Sequence, residues 1–245
     1  MATQYDSIAQ AYHDFNNRRI IRDFLIDPAF FSLLGDVRGK IVLDLACGSG
    51  HLTQSIKKLG AERVLGVDIS KAMIDLAQKE EQARPLGIEY QIYDATKLPE
   101  LGQFDLVTAG FLLHYAKSKE ELEAMCLGIV KNLIPGGRFV ALNNSPFFPI
   151  SNTPQYQRTV LALDPIKEGS RLRFTFYNKD QTESMSFEFY HWSKETYETA
   201  MKKAGLKDIR WIDIPPSEKG VKQFGKDFWN AWEKEPSTIL LEARR

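Results

Sequence analysis

The sequence predicts an α/β protein in which a mostly parallel sheet is wound on both faces by helices, with a helical N-terminal lid and an inserted antiparallel hairpin. Three observations lead there. Short apolar runs alternate with amphipathic stretches from residue 41 to residue 145, the rhythm of βαβ units. A turn of small residues, Ala46-Cys47-Gly48-Ser49-Gly50, follows the first apolar run and opens a helix. The rhythm then stops at Pro146, beyond which two alternating runs joined by a short polar turn read as a hairpin.

Composition narrows the function. The 245 residues suit one domain with a full core. Lys plus Arg and Asp plus Glu both number 32, so the net charge is zero and there is no electrostatic footprint for nucleic acid. No apolar run approaches the roughly 18 residues of a membrane span. The opening Met1-Ala2-Thr3-Gln4-Tyr5-Asp6 lacks the basic and apolar regions of a signal peptide, so the expected location is cytoplasmic. Cys47 and Cys126 have neither metal-ligand spacing nor a secretory context and read as reduced structural thiols. His13, His51 and His191 have no partner at metal spacing, so no metal is expected and no chemistry is assigned to them.

Each element has its own signal. Tyr5, Ile8, Ala9, Tyr12 and Phe15 fall at helical spacing, and Ile20, Ile21, Phe24 and Leu25 gather before Asp27-Pro28, where an interruption is expected. Ile41 to Leu45 reads as a buried strand, and Leu52, Ile56 and Leu59 as the apolar face of the following helix. In the turn between them, Gly48 and Gly50 let a ligand approach the backbone N–H groups. Arg63 to Val67 forms the second strand and ends on Asp68; Ile69-Ser70 leads into a helix with Met73, Leu76 and Ala77 on one face. Ile88 to Tyr93 ends in Asp94-Ala95-Thr96, a third strand with an acidic tip.

The fourth strand, 102–110, carries Ala109 near its carboxyl end and leads to Phe111, His114 and Tyr115, beside the crevice where strand order reverses. Ser118-Lys119-Glu120-Glu121 is a capping box before the stripe Leu122, Met125, Cys126, Ile129, Val130 and Leu133. Pro135-Gly136-Gly137 turns the chain into a fifth strand, 138–142, which ends at Asn143-Asn144. Runs 171–177 and 184–190, joined at Asn178-Lys179-Asp180, make the hairpin. Ser193 caps a helix with Tyr197, Ala200, Met201 and Ala204 on one face, stopped by Gly205. Strands 208–214 and 238–243 close the sheet as a reversed pair, and the segment holding Phe224, Phe228, Trp229 and Trp232 is expected to pack as a short helix.

An acidic residue at the tip of the second parallel strand lies where a ribose edge falls and can accept its hydroxyl hydrogens. A dinucleotide site would want a third small residue after Gly-x-Gly, whereas this chain has Thr53, and the Asp44 carboxylate would crowd a pyrophosphate. A dinucleotide dehydrogenase is therefore disfavoured. The stretch from Ile41 to Leu52, with Asp68, resembles the first two motifs of class I S-adenosylmethionine-dependent methyltransferases, whose cofactor is a sulfonium cation without phosphate. That resemblance implies a Rossmann-like seven-stranded sheet. It further implies that the loop from Asp44 to Gly50 wraps the methionine part of the cofactor and Asp68 holds its ribose. Asp94 is then expected to take the adenine amino group, with Ile69, Met73, Ala95 and Ala109 lining the same site. Where the family usually has Gly, this chain has Ala46.

The opening Tyr5-Asp6-Ser7-Ile8-Ala9-Gln10-Ala11-Tyr12 is similar to that of small-molecule methyltransferases that fold such helices over the cofactor; by analogy Tyr12 and Arg22 meet its methionine end, a guanidinium suiting a carboxylate. The resemblance extends to the group called toxoflavin synthases, through residues 34–40, 85–90 and 135–139. It implies methylation of a ring nitrogen of an azapteridine-like heteroaromatic, as in toxin or antibiotic biosynthesis. O-methylation of a small carboxylate or hydroxyl metabolite is the alternative, and a cofactor-binding module without turnover is an alternative of another class. The expected partner is a small-molecule substrate, with the chain a monomer or weak homodimer.

Residues 1–36 are then a lid, 37–145 the cofactor-binding core, 146–192 the substrate cap and 193–245 the closing helix and strands of one domain. Tyr5, Phe111, Tyr115 and Asn143 are expected at the substrate, and Tyr177, Tyr190 and Trp192 are flat side chains on which a planar heterocycle could stack. His114 is the candidate base, although alignment of the reacting atoms is expected to dominate.

Overall fold

A computed structural model describes residues 3–16, 20–178 and 180–245, with residues 15, 16 and 154 described by their backbone alone. Phe15's side chain, expected on a helical face, and Lys179, expected in the hairpin turn, lie outside the described residues, as do Met1 and Ala2.

The chain begins with α1 (Ala9–Asn16), a π-helical turn (Arg22–Ile26) and α2 (Asp27–Leu34). Pro28 does not interrupt a helix. It occupies the first turn of α2, where its missing N–H has no intrahelical partner to lose, and the π-turn runs straight into it. The parallel core follows as β1 (Ile41–Leu45), α3 (His51–Lys58), β2 (Arg63–Asp68), α4 (Lys71–Ala83), β3 (Glu89–Ile92), β4 (Phe104–Gly110), α5 (Lys119–Asn132) and β5 (Leu133–Asn144). Leu133, expected at the end of the helical stripe, already belongs to β5 and pairs with Phe104, because Pro135 and Gly136 cannot continue the helix. Leu59, expected on the buried face of α3, is its exposed C-cap residue.

The insertion is larger than a hairpin. It is a four-stranded antiparallel sheet made of β6 (Ser151–Thr153), β7 (Arg158–Ala162), β8 (Arg171–Tyr177) and β9 (Glu183–Tyr190). The chain ends with α6 (Lys194–Ala204), β10 (Lys207–Ile212), α7 (Glu218–Phe224), α8 (Lys226–Lys234) and β11 (Thr238–Arg244), so the aromatic segment forms two short helices where one was expected.

The main sheet runs β10-β11-β5-β4-β1-β2-β3. Pairs from β3 to β5 are parallel, while β11 is antiparallel to both β5 and β10, giving the reversed closing pair. Strand order reverses between β1 and β4, which opens a crevice above their carboxyl ends. A core with Leu122, Cys126 and Ile129 of α5 and Tyr197 and Met201 of α6 packs against one set of sheet residues. A second core joins Phe24, Leu25, Phe30 and Leu34 with Ile56, Trp229 and Trp232.

The expected N-terminal lid thus divides in two. Residues 20–34 are part of the core, whereas Tyr5, Ile8 and Tyr12 lie against the apolar face of the second sheet, beside Phe174, Phe176 and Phe187. Tyr156, Arg158 and Trp232 anchor that sheet to the body: the Tyr156 hydroxyl donates to the Phe228 carbonyl at 2.7 Å, and the buried Arg158 guanidinium lies over the rings of Phe174 and Trp232.

The arm before α1 is strapped by polar contacts. Gln4 exchanges two side-chain hydrogen bonds of 2.9 Å with the backbone of Glu188 on β9. Asp6 accepts from Ser70 Oγ at 2.6 Å, Thr3 N at 2.6 Å and Ala72 N at 3.3 Å, at the N-terminus of α4, where negative charge is favoured. Those hydrogen bonds, the one from Ser70 foremost, hold the Asp6 carboxyl at about 2. Because this lies below its unfolded value, the strap is at full strength above the ordinary carboxylate range and is lost as pH falls towards 2. Asp6→Ala is expected to speed amide hydrogen exchange across residues 3–16 at neutral pH and leave the β1 to β5 core protected; equal protection of the arm in both proteins would count against the strap.

Candidate active site

The site is built on Asp44. Fully excluded from solvent on β1, its carboxylate accepts 2.6 Å and 2.7 Å hydrogen bonds from the hydroxyls of Thr53 on α3 and Thr108 on β4. Burial raises its pKa to about 6, against the pull of those two hydroxyls, and the negative Asp68 adds to the rise. Thr53, the residue that argued against a dinucleotide site, is here a donor to Asp44.

After Asp44 the chain turns through Ala46 (φ 53°), Gly48 (φ 54°) and Gly50 (φ 90°), all left-handed. Ala46 therefore carries a Cβ where glycine would be unstrained. A Cβ on Gly50 would lie 2.5 Å from Tyr90 Oη, whereas one on Gly48 would meet no atom of the described residues within 4 Å. Open space thus lies in front of Gly48, and tight packing behind Gly50.

Asp68 holds this loop from the neighbouring strand. One oxygen accepts from Gly48 N at 2.9 Å and the other from Ser70 N at 2.8 Å. Desolvation raises its pKa more than those N–H groups lower it. Ile69 beside it is exposed, and Met73 is buried under the start of α4. Asp94 accepts from Thr96 N at 2.9 Å and Thr96 Oγ at 2.8 Å, capping the turn that contains Ala95, while Ala109 is fully buried within β4.

A cavity opens beyond the loop. Asp44, Ala46, Cys47, Gly48 and Ser49 line one side, and Tyr12, Arg22, Ile26, Asp27, His51, Leu52, Gly110, Phe111 and Leu142 complete the wall. It joins the expected residues Tyr12, Arg22, Asp44, Ala46, Gly48 and Phe111. Arg22, only 7% exposed, lies 3.5 Å through Nε from Asp27, which also bonds His51 Nε2 at 2.8 Å. The π-turn makes this possible by setting Arg22 and Asp27 five residues apart on one turn, with Asp27 N bonded to the Arg22 carbonyl. His13 Nδ1 reaches Ser49 Oγ at 2.9 Å and ties α1 to the glycine loop.

His51 and His13 were assigned no chemistry from the sequence, and Asp27 was read only as a helix stop. His51 carried one usable signal, its place immediately after Gly50 at a helix start. Asp27 carried none, because its role depends on the π-turn.

Phe111, with φ 67°, turns the chain sharply out of β4. That turn buries His114 to 1% exposure against Asn143 of β5, with Nδ1 3.0 Å from Asn143 Oδ1. Burial lowers the His114 pKa to about 4, more than the Asn143 contact raises it, so the imidazole is neutral at physiological pH. The hydroxyls of Tyr5 and Tyr115 are hydrogen-bonded to each other, and both phenols are pushed upward by burial and stay protonated.

The aromatic side chains that face this region from the second sheet are not the three expected. Trp192 is a core residue: it is 5% exposed, and its indole N–H donates to the Ala116 carbonyl at 2.9 Å. Tyr177 pairs with Thr159 Oγ at 3.1 Å, and Tyr190 packs at the edge of the α5–α6 core. None of the three lines the cavity described above. Phe187 instead contacts Tyr5, Tyr12 and Tyr115, and Phe189 lies 5.3 Å from the His114 ring. Successive strand residues point to opposite faces, so Tyr190 is one position out of phase with Phe189.

Residues 42–137 match the family model described as a methyltransferase domain. The fold is that of S-adenosylmethionine-dependent methyltransferases. One from Mesorhizobium loti superposes with a TM-score of 0.65 at 22% identity, covering 89% of this chain and 96% of that one. The CcbJ methyltransferase of Streptomyces caelestis gives a TM-score of 0.68 at 18% identity, with 99% and 98% covered. In sequence, the ubiquinone biosynthesis O-methyltransferase of Coxiella burnetii is 36% identical over 103 residues, 42% of each chain. The aligned part thus spans less than half of that relative. Among the described residues no group of three or more His, Cys, Asp and Glu is placed to hold a metal, and no helix is long and apolar enough to cross a membrane.

Two stability experiments test this geometry. The folded-state pKa of Asp44 lies above its unfolded value, so the folded chain holds the extra proton between about 4 and 6. Stability therefore falls as pH rises through that window, by up to about 3 kcal/mol, and is flat above it. Urea unfolding of Asp44→Asn is expected to lack this component; an unchanged pH profile would show that Asp44 is not buried as described. Ala46→Gly removes a left-handed alanine and is expected to stabilise by about 1 kcal/mol, raising Tm by about 2–4 °C; a lower Tm would contradict the strained turn.

Proposed function

We propose that the protein binds S-adenosylmethionine across the glycine loop and transfers its methyl group to a small planar molecule, at a ring nitrogen of an azapteridine-like heteroaromatic. The observation that carries the reading is the open space at Gly48 between two carboxylates, Asp44 and Asp68, both raised in pKa by burial. Such a crevice favours a cation and opposes a pyrophosphate. A ligand bearing a sulfonium and an ammonium counters the burial, and the smaller repulsion from Asp68, that raise Asp44.

The chain's residues fit the rest of that ligand. A carboxylate offers about four lone-pair sites. Asp68 is engaged by the backbone N–H groups of Gly48, Ser70 and Ile69, which leaves acceptor capacity for a ribose hydroxyl. The Arg22 guanidinium, in the same cavity wall, suits the amino-acid carboxylate. Asp94, Ala95, Ile69 and Met73 follow along the strand ends and α4 on the adenine side. S-adenosylmethionine, when bound, supplies an electrophilic methyl group. The residues around it position the acceptor and keep water out, a role that suits the aromatic cluster of Tyr5, Tyr12, Phe111, Tyr115 and Phe187.

The ring-nitrogen acceptor rests on the resemblance to toxoflavin synthases. A second reading, O-methylation of a small carboxylate or hydroxyl metabolite, is supported by the name of the Coxiella burnetii relative, a ubiquinone biosynthesis O-methyltransferase. The matched family region, 42–137, ends before the second sheet, so the walls given by the arm and that sheet, Tyr5, Tyr12 and Phe187, lie outside it.

Methyl-labelled S-adenosylmethionine offered with N–H heterocycles and catechols tests the reaction, with label expected in the organic acceptor. Asp68→Ala is expected to weaken cofactor binding tenfold or more by calorimetry, because hydrogen bonds to a charged acceptor are worth about 1.5–3 kcal/mol. Unchanged affinity in a folded variant would remove Asp68 from the site.

A further inference from the structure

His114 carries an atom that the fold does not use. Its Nε2 is buried without a hydrogen-bond partner among the described residues, although its Nδ1 is well placed on Asn143. A buried polar atom left unsatisfied carries the full desolvation penalty of that group, which a bound partner would remove. The rings of Tyr115, Phe189 and Phe111 lie 4.6, 5.3 and 6.0 Å from the imidazole, and Phe111 also lines the cavity at the glycine loop. A resident water needs two to four polar partners, which these aromatic faces do not supply.

The network also fixes which nitrogen carries the proton. Asn143 Nδ2 donates to the Asn144 carbonyl at 3.0 Å, so Asn143 must present Oδ1 to the imidazole. Reversing the amide would set its oxygen against that carbonyl. Asn143 Oδ1 can only accept, so Nδ1 of the neutral ring holds the hydrogen and Nε2 holds the lone pair. Burial opposes a second proton.

We propose that His114 Nε2 is a specificity-determining acceptor for the substrate, with Asn143 as its positioning residue, so that the methyl-accepting group is a neutral hydrogen-bond donor, a ring N–H or an aromatic O–H, and not a carboxylate. The inference rests on the methyltransferase reading above. A carboxylate would bring a second set of lone pairs against Nε2 of a side chain only 1% exposed, where solvent screens them little. An N–H or O–H group satisfies the orphaned nitrogen. Of the chemistries left open above, ring-nitrogen and hydroxyl methylation meet this requirement; methyl-ester formation does not.

Two measurements decide it. Imidazole ¹⁵N shifts at neutral pH, with the His114 signal assigned by its loss in His114→Phe, are expected to show a protonated Nδ1 and an unprotonated Nε2. Asn143→Asp is expected to keep that tautomer and Asn143→Leu to lose it. Methyl transfer is then measured on lumazine and catechol as N–H and O–H donors, against pyrazine-2-carboxylate and benzoate. Turnover is expected on at least one donor and on neither carboxylate, and His114→Phe should lower kcat/KM by about 10- to 100-fold with cofactor affinity unchanged. An Nε2-protonated tautomer, turnover on a carboxylate, turnover on none of the four, or native kinetics in His114→Phe would each overturn the assignment. Failure of the wild-type protein to bind S-adenosylmethionine in calorimetry would instead overturn the methyltransferase reading beneath it.

Discussion

The burial of one carboxylate organises this molecule. Taking Asp44 out of water costs several kcal/mol even after relaxation. Two hydroxyl hydrogen bonds to a charged acceptor, at about 1.5–3 kcal/mol each, offset part of that, and the raised pKa of Asp44 shows that burial still outweighs them. They come from Thr53 on α3 and Thr108 on β4, so the same bonds that keep the charge in place tie β1 to the helix after the glycine turn and to the strand across the switch point. The turn from Ala46 to Gly50 is held at one end by this cluster and at Gly48 by Asp68. The acidity of the crevice is thus a structural feature first, and the preference for a cationic ligand follows from it.

Around that fixed floor the walls differ in how firmly they are held. Residues 20–34 are core, with Leu25, Phe30 and Leu34 fully buried and Arg138 donating to the carbonyls of Leu33 and Leu34 at 2.9 Å each. The arm from Thr3 to Asn16 is held differently, by Gln4 on β9, Asp6 at α4, His13 on Ser49 and the paired hydroxyls of Tyr5 and Tyr115. Segments with few buried apolar contacts and partly exposed polar ones open most readily. The second sheet receives the arm on an apolar face, so floor, arm and second sheet meet at Tyr5, Tyr115 and Phe187.

The parallel core was legible in the sequence because each of its signals has a local cause. A buried strand needs an apolar run, a left-handed turn favours glycine and a cap favours serine; Ser118 and Ser193 each accept the expected N–H. The second sheet was half legible, since β8 and β9 alternate over seven and eight residues, whereas β6 has only three. At the site, acidic strand tips and glycines could be placed from order alone. Trp192 and Tyr190 were chosen for flatness, and only strand register and the Ala116 carbonyl show where they point. The Arg22–Asp27–His51 contacts depend on a π-turn, for which no residue pattern is diagnostic.

The central claim is that the crevice at Gly48 is built for a sulfonium nucleoside. Calorimetric titration of the intact protein at neutral pH with S-adenosylmethionine, and separately with NAD, tests it most directly. One saturable site for S-adenosylmethionine per chain and no heat with NAD are expected. Saturable binding of NAD, or no binding of S-adenosylmethionine to a folded protein, would contradict it.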